Sequence, residues 1–457
     1  MQHKTKRKSM SVALIILAAG QGSRMNSALP KVLHPIAGAP MLHHAIAAGN
    51  TIKPDHVIVV AGVGADQVTA SAKSFDATVQ VVLQHEQLGT GHATAMTRET
   101  LKDFDGLTIV LFGDTPFISS NTLQALVQSS ADVTVLGFEP VDPARYGRLI
   151  MNDDQLERIV EFKDATDAER AIGLCNSGVL AAPAPILFDL IEALNTDNAQ
   201  GEYYLTDLPH LARTKGLNVA VVTCDAAETL GINSRAELAA ADAHFQTATR
   251  NNMMESGVTL IAPDTVYFSL DTVIGRDAFI EPNVVFGPHV TVDSGATIRA
   301  FSHLEGCHIS KGSIVGPFAR LRKGTQLSED VRIGNFVEVK NATLSTGAKV
   351  NHLSYIGDAS IGEKANIGAG TITCNYDGVM KHHTKIGSHA FIGSSTMLVA
   401  PISIGDEAMT GSGSVITSDV EAGALALARA RQTTKSGMAR KLFQKLRSIK
   451  AKQTKGE

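Results

Sequence analysis

"IGRDAFIEPNVVFGPHVTVDSGATIRAFSHL", residues 274–304, places a large apolar side chain at every sixth position: Ile274, Ile280, Phe286, Val292, Ile298 and Leu304. After one five-residue step the count resumes through Ile309, Val315, Leu321, Leu327, Ile333 and Val339, and again through Ile386, Ile392, Leu398 and Ile404. Six is not a helical period. It is the period of a parallel β-helix, in which each six-residue unit makes one short strand and one corner. The recurring side chain points inward and stacks on its copies in adjacent coils. Gly follows it often, as in IGRDAF, VGPFAR, IGNFVE and IGSSTM, where a small residue lets the chain turn. In an α-helix, Gly at this density would cost about 1 kcal/mol per position.

One stretch interrupts the count, "NIGAGTITCNYDGVMKHHTKIG" at 366–387. Its insertion at 373–385 exceeds a six-residue unit and is expected to project. Stacked coils enclose little concave space, so a ligand site has to use their faces, their loops or a seam with another subunit.

Upstream the pattern differs. Residues 11–240 alternate short apolar runs (VALIILAA, HVIVVAG, LTIVLFGD, DVTVLGF) with helical stretches such as PMLHHAIAAG and NTLQALVQSS. Buried strands alternating with helices imply a doubly wound, Rossmann-like α/β sheet. "ADAHFQTATRNNMMES", at 241–256, reads as a connecting helix. The expected organisation is a basic extension over 1–10, the α/β domain over 11–240, the linker helix over 241–256, the β-helix over 257–435 and a basic tail over 436–457.

With 457 residues, more than one domain is required. A net charge of −4 argues against nucleic acid as the main partner. Basic residues gather at the ends: Lys4, Lys6, Arg7 and Lys8 in the extension, and ten Lys or Arg from Arg429 onward against one acid, Glu457. Past about residue 440 the tail is expected to be disordered. The apolar run Val12–Ala19 is short for an export signal and leads straight into a Gly/Arg motif. No run of 18 apolar residues predicts a membrane span. Cys175, Cys224, Cys307 and Cys374 lack paired spacing, as suits reduced thiols in the cytoplasm and no zinc site.

"LIILAAGQGSRMNSALPKVL", residues 14–33, runs a buried strand into Gly20, Gly22 and Arg24, with Lys31 following. Glycines let the backbone approach phosphate oxygens, and the two cations neutralise a polyphosphate. The spacing is neither the dinucleotide fingerprint nor a Walker A loop. Asp114 ends an apolar strand, where ligands bind in open α/β sheets.

These residues resemble the LAAGxGxRM…LPKVL signature of sugar-1-phosphate nucleotidyltransferases. Further strings agree in order: QLGTGHA (87–93), LFGDTP (111–116), YGRL (146–149), IVEFKDAT (159–166), CNSGV (175–179), NAQGEYYLTD (198–207) and GINSR (231–235). With the repeats, the chain over about 11–435 resembles the bifunctional N-acetylglucosamine-1-phosphate uridylyltransferase/glucosamine-1-phosphate N-acetyltransferase family. That resemblance implies a left-handed β-helix, a homotrimer with acetyl-transfer sites at its seams, and a product used in peptidoglycan and lipopolysaccharide synthesis. It implies UTP and acetyl-CoA as co-substrates and Mg2+ as cofactor.

Carried over by motif, Leu17, Ala18, Ala19 and Gly20 face uracil and phosphate; Arg24 and Lys31 are the phosphate-neutralising catalytic pair. Gln84, Gly89 and Thr90 read uracil, Phe112 and Gly113 line the same site, and Gly147, Glu161 and Asn176 read the sugar. Asp114 and Asn233 hold the metal, a spare oxygen set that suits Mg2+ with its retained waters and phosphates. Phe112 departs from the Tyr of many relatives and removes a hydroxyl.

In the repeats, "VGPFARLRKG" (315–324), "IGNFVEVKNATL" (333–344) and "GAKVNHLSYIGDA" (347–359) match the acetyltransferase half. Arg322 and Lys340 then hold the sugar phosphate, Tyr355 and Asn366 position the sugar, and His352 is the general base. An amine attacking a thioester must lose a proton, and imidazole titrates nearest neutrality. Ala369, Ser394, Ser412 and Arg429 line the acetyl-CoA site, and Asn375 and Tyr376 sit on the interrupting loop. Ser412 replaces a usual Ala. His382 and His383 have no neighbour in sequence to orient them and are expected as surface residues.

Two other readings stay open at this level. One is a single-activity nucleotidyltransferase with the β-helix as scaffold. The other is a non-catalytic sugar-nucleotide sensor.

Overall fold

Val12–Ala18 (β1) lies at the centre of a nine-stranded sheet because its seven residues are apolar and buried without exception. Its odd-numbered side chains (Ala13, Ile15, Leu17) enter one core and its even-numbered ones (Val12, Leu14, Ile16, Ala18) another, so helices cover both faces. This computed structural model describes residues 11–143, 145–153 and 155–453. The basic extension over 1–10 and Glu457 lie outside them.

The remaining strands are His56–Ala61 (β2), Gln80–Leu83 (β3), Leu107–Phe112 (β4), Val133–Phe138 (β5), Arg148–Asn152 (β6), Gln155–Val160 (β7), Cys175–Pro183 (β8) and Val219–Cys224 (β9). The order is β9-β5-β8-β4-β1-β2-β3, with β6 and β7 extending from β8. The sheet is parallel except where β8 runs antiparallel between β4 and β5 and pairs antiparallel with β6, which in turn pairs antiparallel with β7. In register, Leu17 faces Val60 on one side and Phe112 on the other, so the C-terminal ends of β1, β2 and β4 open on one edge.

The helix read at 241–256 spans Arg235–Glu255. Its start was marked in sequence by S-x-x-E: Ser234 Oγ accepts from Glu237 N at 3.2 Å, and Glu237 accepts from Asn233 N at 2.6 Å. Gln246 in this helix pairs with both backbone groups of Phe268, each at 2.8 Å.

The chain divides into two compact units. The first runs to Glu255 and takes in Val266–Thr272 and Phe286–His289; the second holds Ser256–Thr265, Val273–Val285 and the chain from Val290.

The second unit is a parallel β-helix of three faces, the architecture that the hexapeptide period demands. One face stacks Ile280, Ile298, Val315, Ile333, Val350, Ile367 and Ile392 in parallel register. Another stacks Ile274, Val292, Ile309, Leu327, Leu344, Ile361, Ile386 and Ile404. All sixteen repeat positions counted from the sequence are buried. The count also continues where it had been lost, through Leu344, Val350, Ile356, Ile361 and Ile367, by further five-residue steps. At the corner after Ile333, a Cβ on Gly334 would sit 1.9 Å from the carbonyl oxygen of Asn351, so no side chain fits.

The interruption is shorter than its sequence suggested. Thr373 and Thr384 are 0% exposed, with Thr373 taking the next inward position after Ile367. A hydroxyl fits there because Thr373 Oγ1 accepts from Gly357 N at 2.7 Å. Asn375 is 6% exposed, and the projecting part begins at Tyr376.

The tail is not without structure past 440. Met438–Gln453 is a helix, consistent with its lack of Gly, Pro and β-branched residues other than Ile449.

Candidate functional sites

In the first unit, the ends of β1, β3 and β4 border a cleft of ≈ 560 Å3. A smaller hollow of ≈ 250 Å3 adjoins it, and the two share Thr90 and Phe112. Leu17–Gly20, Arg24, Lys31, Gln84, Gly89, Asp114 and Asn233 line the first. Gly147, Glu161 and Asn176 line the second. Gly113 lies between Val32 and the end of β1, its backbone N donating to Leu17 O at 2.9 Å. A Cβ at Gly20 would meet nothing within 4 Å, leaving the turn open for a ligand's approach. Gly22 is fixed by conformation: its φ is +60°, and the Lys31 stem packs against it.

Four polar side chains converge at the cleft. The Lys31 ammonium donates to Asp114 and, at 2.6 Å, to Asn233 Oδ1, which also accepts from Arg24 at 2.8 Å. One carboxylate and one amide oxygen thus meet at a point that already holds a cation. Two hard oxygens at such a point fit Mg2+, which binds through few protein oxygens.

Gln84, buried at the end of β3, donates to Gly89 O at 3.1 Å and meets His92 Nδ1 at 3.0 Å, which fixes its amide. Thr90 Oγ1 accepts from Leu205 N at 3.0 Å. Burial pushes the Glu161 carboxyl up, and a hydrogen bond from Thr206 pulls the other way. Asn176 N donates to Gly147 O at 2.8 Å, so the two share one wall.

Sequence reading missed two supports of that wall. Arg148, almost wholly buried, donates to Arg170 O at 3.3 and 3.2 Å, to Pro143 O at 3.4 Å and to Tyr146 O. Tyr146 hydrogen-bonds Gly231, next to the Asn233 loop, and burial raises its pKa. YGRL was read for Gly147 alone, and an Arg on an apolar strand edge was the available signal.

In the second unit, His352 closes the strand Lys349–His352, and its Nδ1 lies 2.9 Å from Asn335 Oδ1, its register partner one coil earlier. An amide oxygen only accepts, so Nδ1 carries the proton and Nε2 keeps a lone pair. Arg322, Lys340 and Tyr355 lie on neighbouring coils of the adjoining face. Arg322 pairs with Glu338 at 2.9 Å, and Tyr355 leans over Gly357, where a Cβ would clash with it.

The hub of this face is Asp358, which the motifs had not picked out. It accepts from Asn341 at 2.7 Å, from Asn375 and from Lys340 at 3.4 Å. Burial pushes its carboxyl up, but these hydrogen bonds outweigh that and hold it low. Lys381, also missed, brings its amine from the loop to Lys340, which holds it below its ordinary value. Arg322, Lys340 and Lys381 make a cationic cluster, with Tyr355 close enough to Lys340 to act on its charge.

Of the two loop histidines, His383 is exposed and His382 half-buried, and both have partners that orient them. His382 pairs with Asp377 at 2.7 Å and His383 with Ser360 Oγ at 2.9 Å, so the loop that carries Tyr376 is tied to itself and to the strand Tyr355–Ile361. Distance along the chain hid Ser360.

Ala369, Ser394 and Ser412 descend one corner line below His352. His352 O accepts from Gly370 N, Ala369 O from Ser395 N and Ser394 O from Gly413 N. Arg429 joins the line by donating to Ser412 O at 2.8 Å. Asn366 lies on the strand Asn366–Ile367 that enters this corner.

A strand-edge cleft lined by Gly20, Arg24 and Lys31 in one unit, and an oriented histidine and a cationic cluster on a hexapeptide β-helix in the other, suit a nucleotidyltransferase joined to a hexapeptide-repeat transferase. The MobA-like NTP transferase domain family matches residues 14–173, and the bacterial transferase hexapeptide family, with six repeats, matches 271–306. The chain is 65% identical to the bifunctional protein GlmU of Roseobacter denitrificans over 98% of this chain and 100% of that protein. It is 62% identical to its counterpart in Ruegeria sp., again over 98% and 100%. With the Jannaschia sp. protein it shares 58% over 97% and 98%. The chain belongs to the GlmU family.

Proposed function

We propose that the two centres act in sequence, the β-helix acetylating glucosamine-1-phosphate and the α/β unit converting the product to UDP-N-acetylglucosamine. The observation that carries the two-site reading is His352, oriented by Asn335, on the same β-helix as the cationic cluster of Arg322, Lys340 and Lys381. A scaffold needs none of these residues, and a sensor needs no base.

In acetyl transfer, the cationic cluster binds the sugar phosphate, while Tyr355 and Asn366 position the sugar. The amine attacks the thioester carbonyl of acetyl-CoA and gives its proton to His352 Nε2. The carbon–sulfur bond breaks, and free coenzyme A leaves with a thiol. Ala369, Ser394, Ser412 and Arg429 form the coenzyme groove; the Arg429 guanidinium suits its phosphates. Asn375 and Tyr376 complete the site from the loop.

In uridylyl transfer, Leu17–Gly20, Gln84, Gly89, Thr90, Phe112 and Gly113 hold UTP. Gly147, Glu161 and Asn176 hold the sugar. The sugar phosphate oxygen attacks the α-phosphorus in line and pyrophosphate leaves, which requires positioning and charge neutralisation but no protein nucleophile. Arg24 and Lys31 neutralise the phosphates. Asp114 and Asn233 would hold Mg2+, which would supply further positive charge there. Lys31 then leaves its present partners for the phosphates.

The assembly is a homotrimer in the cytoplasm. Supporting it, Phe301, Phe318 and Phe336 stack along an exposed corner at centroid distances of 4.9 and 5.2 Å, the same corner that leads to His352. The projecting loop and the Arg429 region then reach a neighbour's site. Among the described residues no helix is long and apolar enough to cross a membrane.

The test incubates the protein with glucosamine-1-phosphate, acetyl-CoA, UTP and Mg2+ while thiol and pyrophosphate are followed together. Pyrophosphate that lags behind thiol establishes the sequence. Pyrophosphate without thiol, with and without acetyl-CoA, overturns it.

A further inference from the structure

The helix Met438–Gln453 follows an exposed segment, Arg431–Gly437, and none of its own residues is buried. Its composition is lopsided. Arg440, Lys441, Lys445, Arg447, Lys450 and Lys452 are cationic, and no residue is Asp or Glu. At 100° per residue, Met438, Ile449, Leu442, Leu446 and Phe443 fall on one side. Arg440, Lys441 and Arg447 fall on the other, Lys445 and Lys452 flank the apolar stripe, and Lys450 lies within it between Leu446 and Phe443. Large apolar side chains along a solvated helix cost free energy unless something covers them.

Each class of cover makes a different demand. A second copy of the helix would bring six like charges against six, which self-repulsion disfavours. A nucleic acid would use the cations and leave the apolar side wet. An anionic bilayer uses both: cations meet lipid phosphates while Leu and Phe enter the acyl boundary. At ~1.5 Å per residue, sixteen residues reach about 24 Å, too short to span but long enough to lie in the interface. Gly437, at φ +71°, breaks the helix from the segment before it. We infer that Met438–Gln453 is an interfacial helix that docks this protein on an anionic lipid surface.

The test sediments the full-length protein with vesicles of phosphatidylglycerol and phosphatidylcholine in equal parts, and with phosphatidylcholine alone. Binding is expected to the first and not the second. Raising salt from about 0.1 to about 1 M shortens the screening length from about 10 to about 3 Å and should release the protein. The Leu442→Ser/Leu446→Ser variant should bind at least about tenfold more weakly, and Arg440→Gln/Lys441→Gln/Arg447→Gln likewise, both with the two transferase activities intact. Absence of binding to phosphatidylglycerol vesicles overturns the inference. So does undiminished binding by the Leu442/Leu446 variant, which would mark a polyanion site for RNA or an acidic protein. A changed oligomeric mass in that variant also overturns it, making the helix a subunit contact.

Discussion

The ring of His352 and the amide of Asn335, seventeen residues apart, meet at 2.9 Å because successive coils place them in register. The contact fixes the tautomer and leaves Nε2 as the basic nitrogen. His352→Ala should lower acetyl transfer about 10²- to 10⁴-fold. Asn335→Ala, which leaves the base but frees its ring, should cost about tenfold or more. Uridylyl transfer should be unchanged in both, measured as pyrophosphate release from N-acetylglucosamine-1-phosphate. Equal loss of both activities would refute separate sites.

Lys31 occupies the point between Asp114 and Asn233 where a divalent cation would bind. Lys31→Met should therefore raise the affinity for Mn2+ in the absence of nucleotide, read by electron paramagnetic resonance. The same variant should lower uridylyl transfer about 10²-fold or more, because the phosphates lose a positive partner. Metal affinity that stays flat or falls would mean Lys31 does not compete for those oxygens.

Arg148 ties the loop before Gly147 to Arg170 through carbonyls that only a donor can satisfy. Arg148→Met keeps the bulk and leaves those carbonyls dry, at ~1–3 kcal/mol each. The first unit should melt at lower temperature, and KM for N-acetylglucosamine-1-phosphate should rise while KM for UTP holds. A parallel rise in both would mean the residue supports the whole sheet and not the sugar wall.

His44 is buried, its Nε2 against Ile36 O, and desolvation holds its pKa below the ordinary 6.5. His43 and His34 are lowered for the same first cause. The unfolded chain thus takes up these protons more readily than the folded one. Stability is full above pH 6.5 and falls as the pH drops from there toward the folded values. Thermal melts of the first unit should show that slope, and His44→Gln, which keeps a donor for Ile36, should make it shallower. An unchanged slope would assign the acid sensitivity to other groups.

The sequence made the period of six legible because each buried position repeats the same requirement for an aliphatic side chain. It became illegible at Thr373, where a hydroxyl satisfied by Gly357 N does the aliphatic residue's job. The residues that met in the sites were legible wherever a motif kept them contiguous, as with Gly20, Gly22 and Arg24. Asp358, Lys381, Asn335 and Ser360 were not, because their partners come from other coils and no local pattern records a contact across seventeen or more residues. The start of the helix at Arg235 was legible in S-x-x-E and overlooked because the apolar periodicity there is weak.

The coils on either side of the interrupting loop stay in step, Ile361 over Ile386 and Ile367 over Ile392, although one circuit carries extra chain. The prism therefore tolerates a detour at a corner without passing the disturbance to its neighbours. Such a corner is an editable socket. Reactive segments of different length and composition can be exchanged there while the hydrophobic column, and with it the folding problem, stays the same.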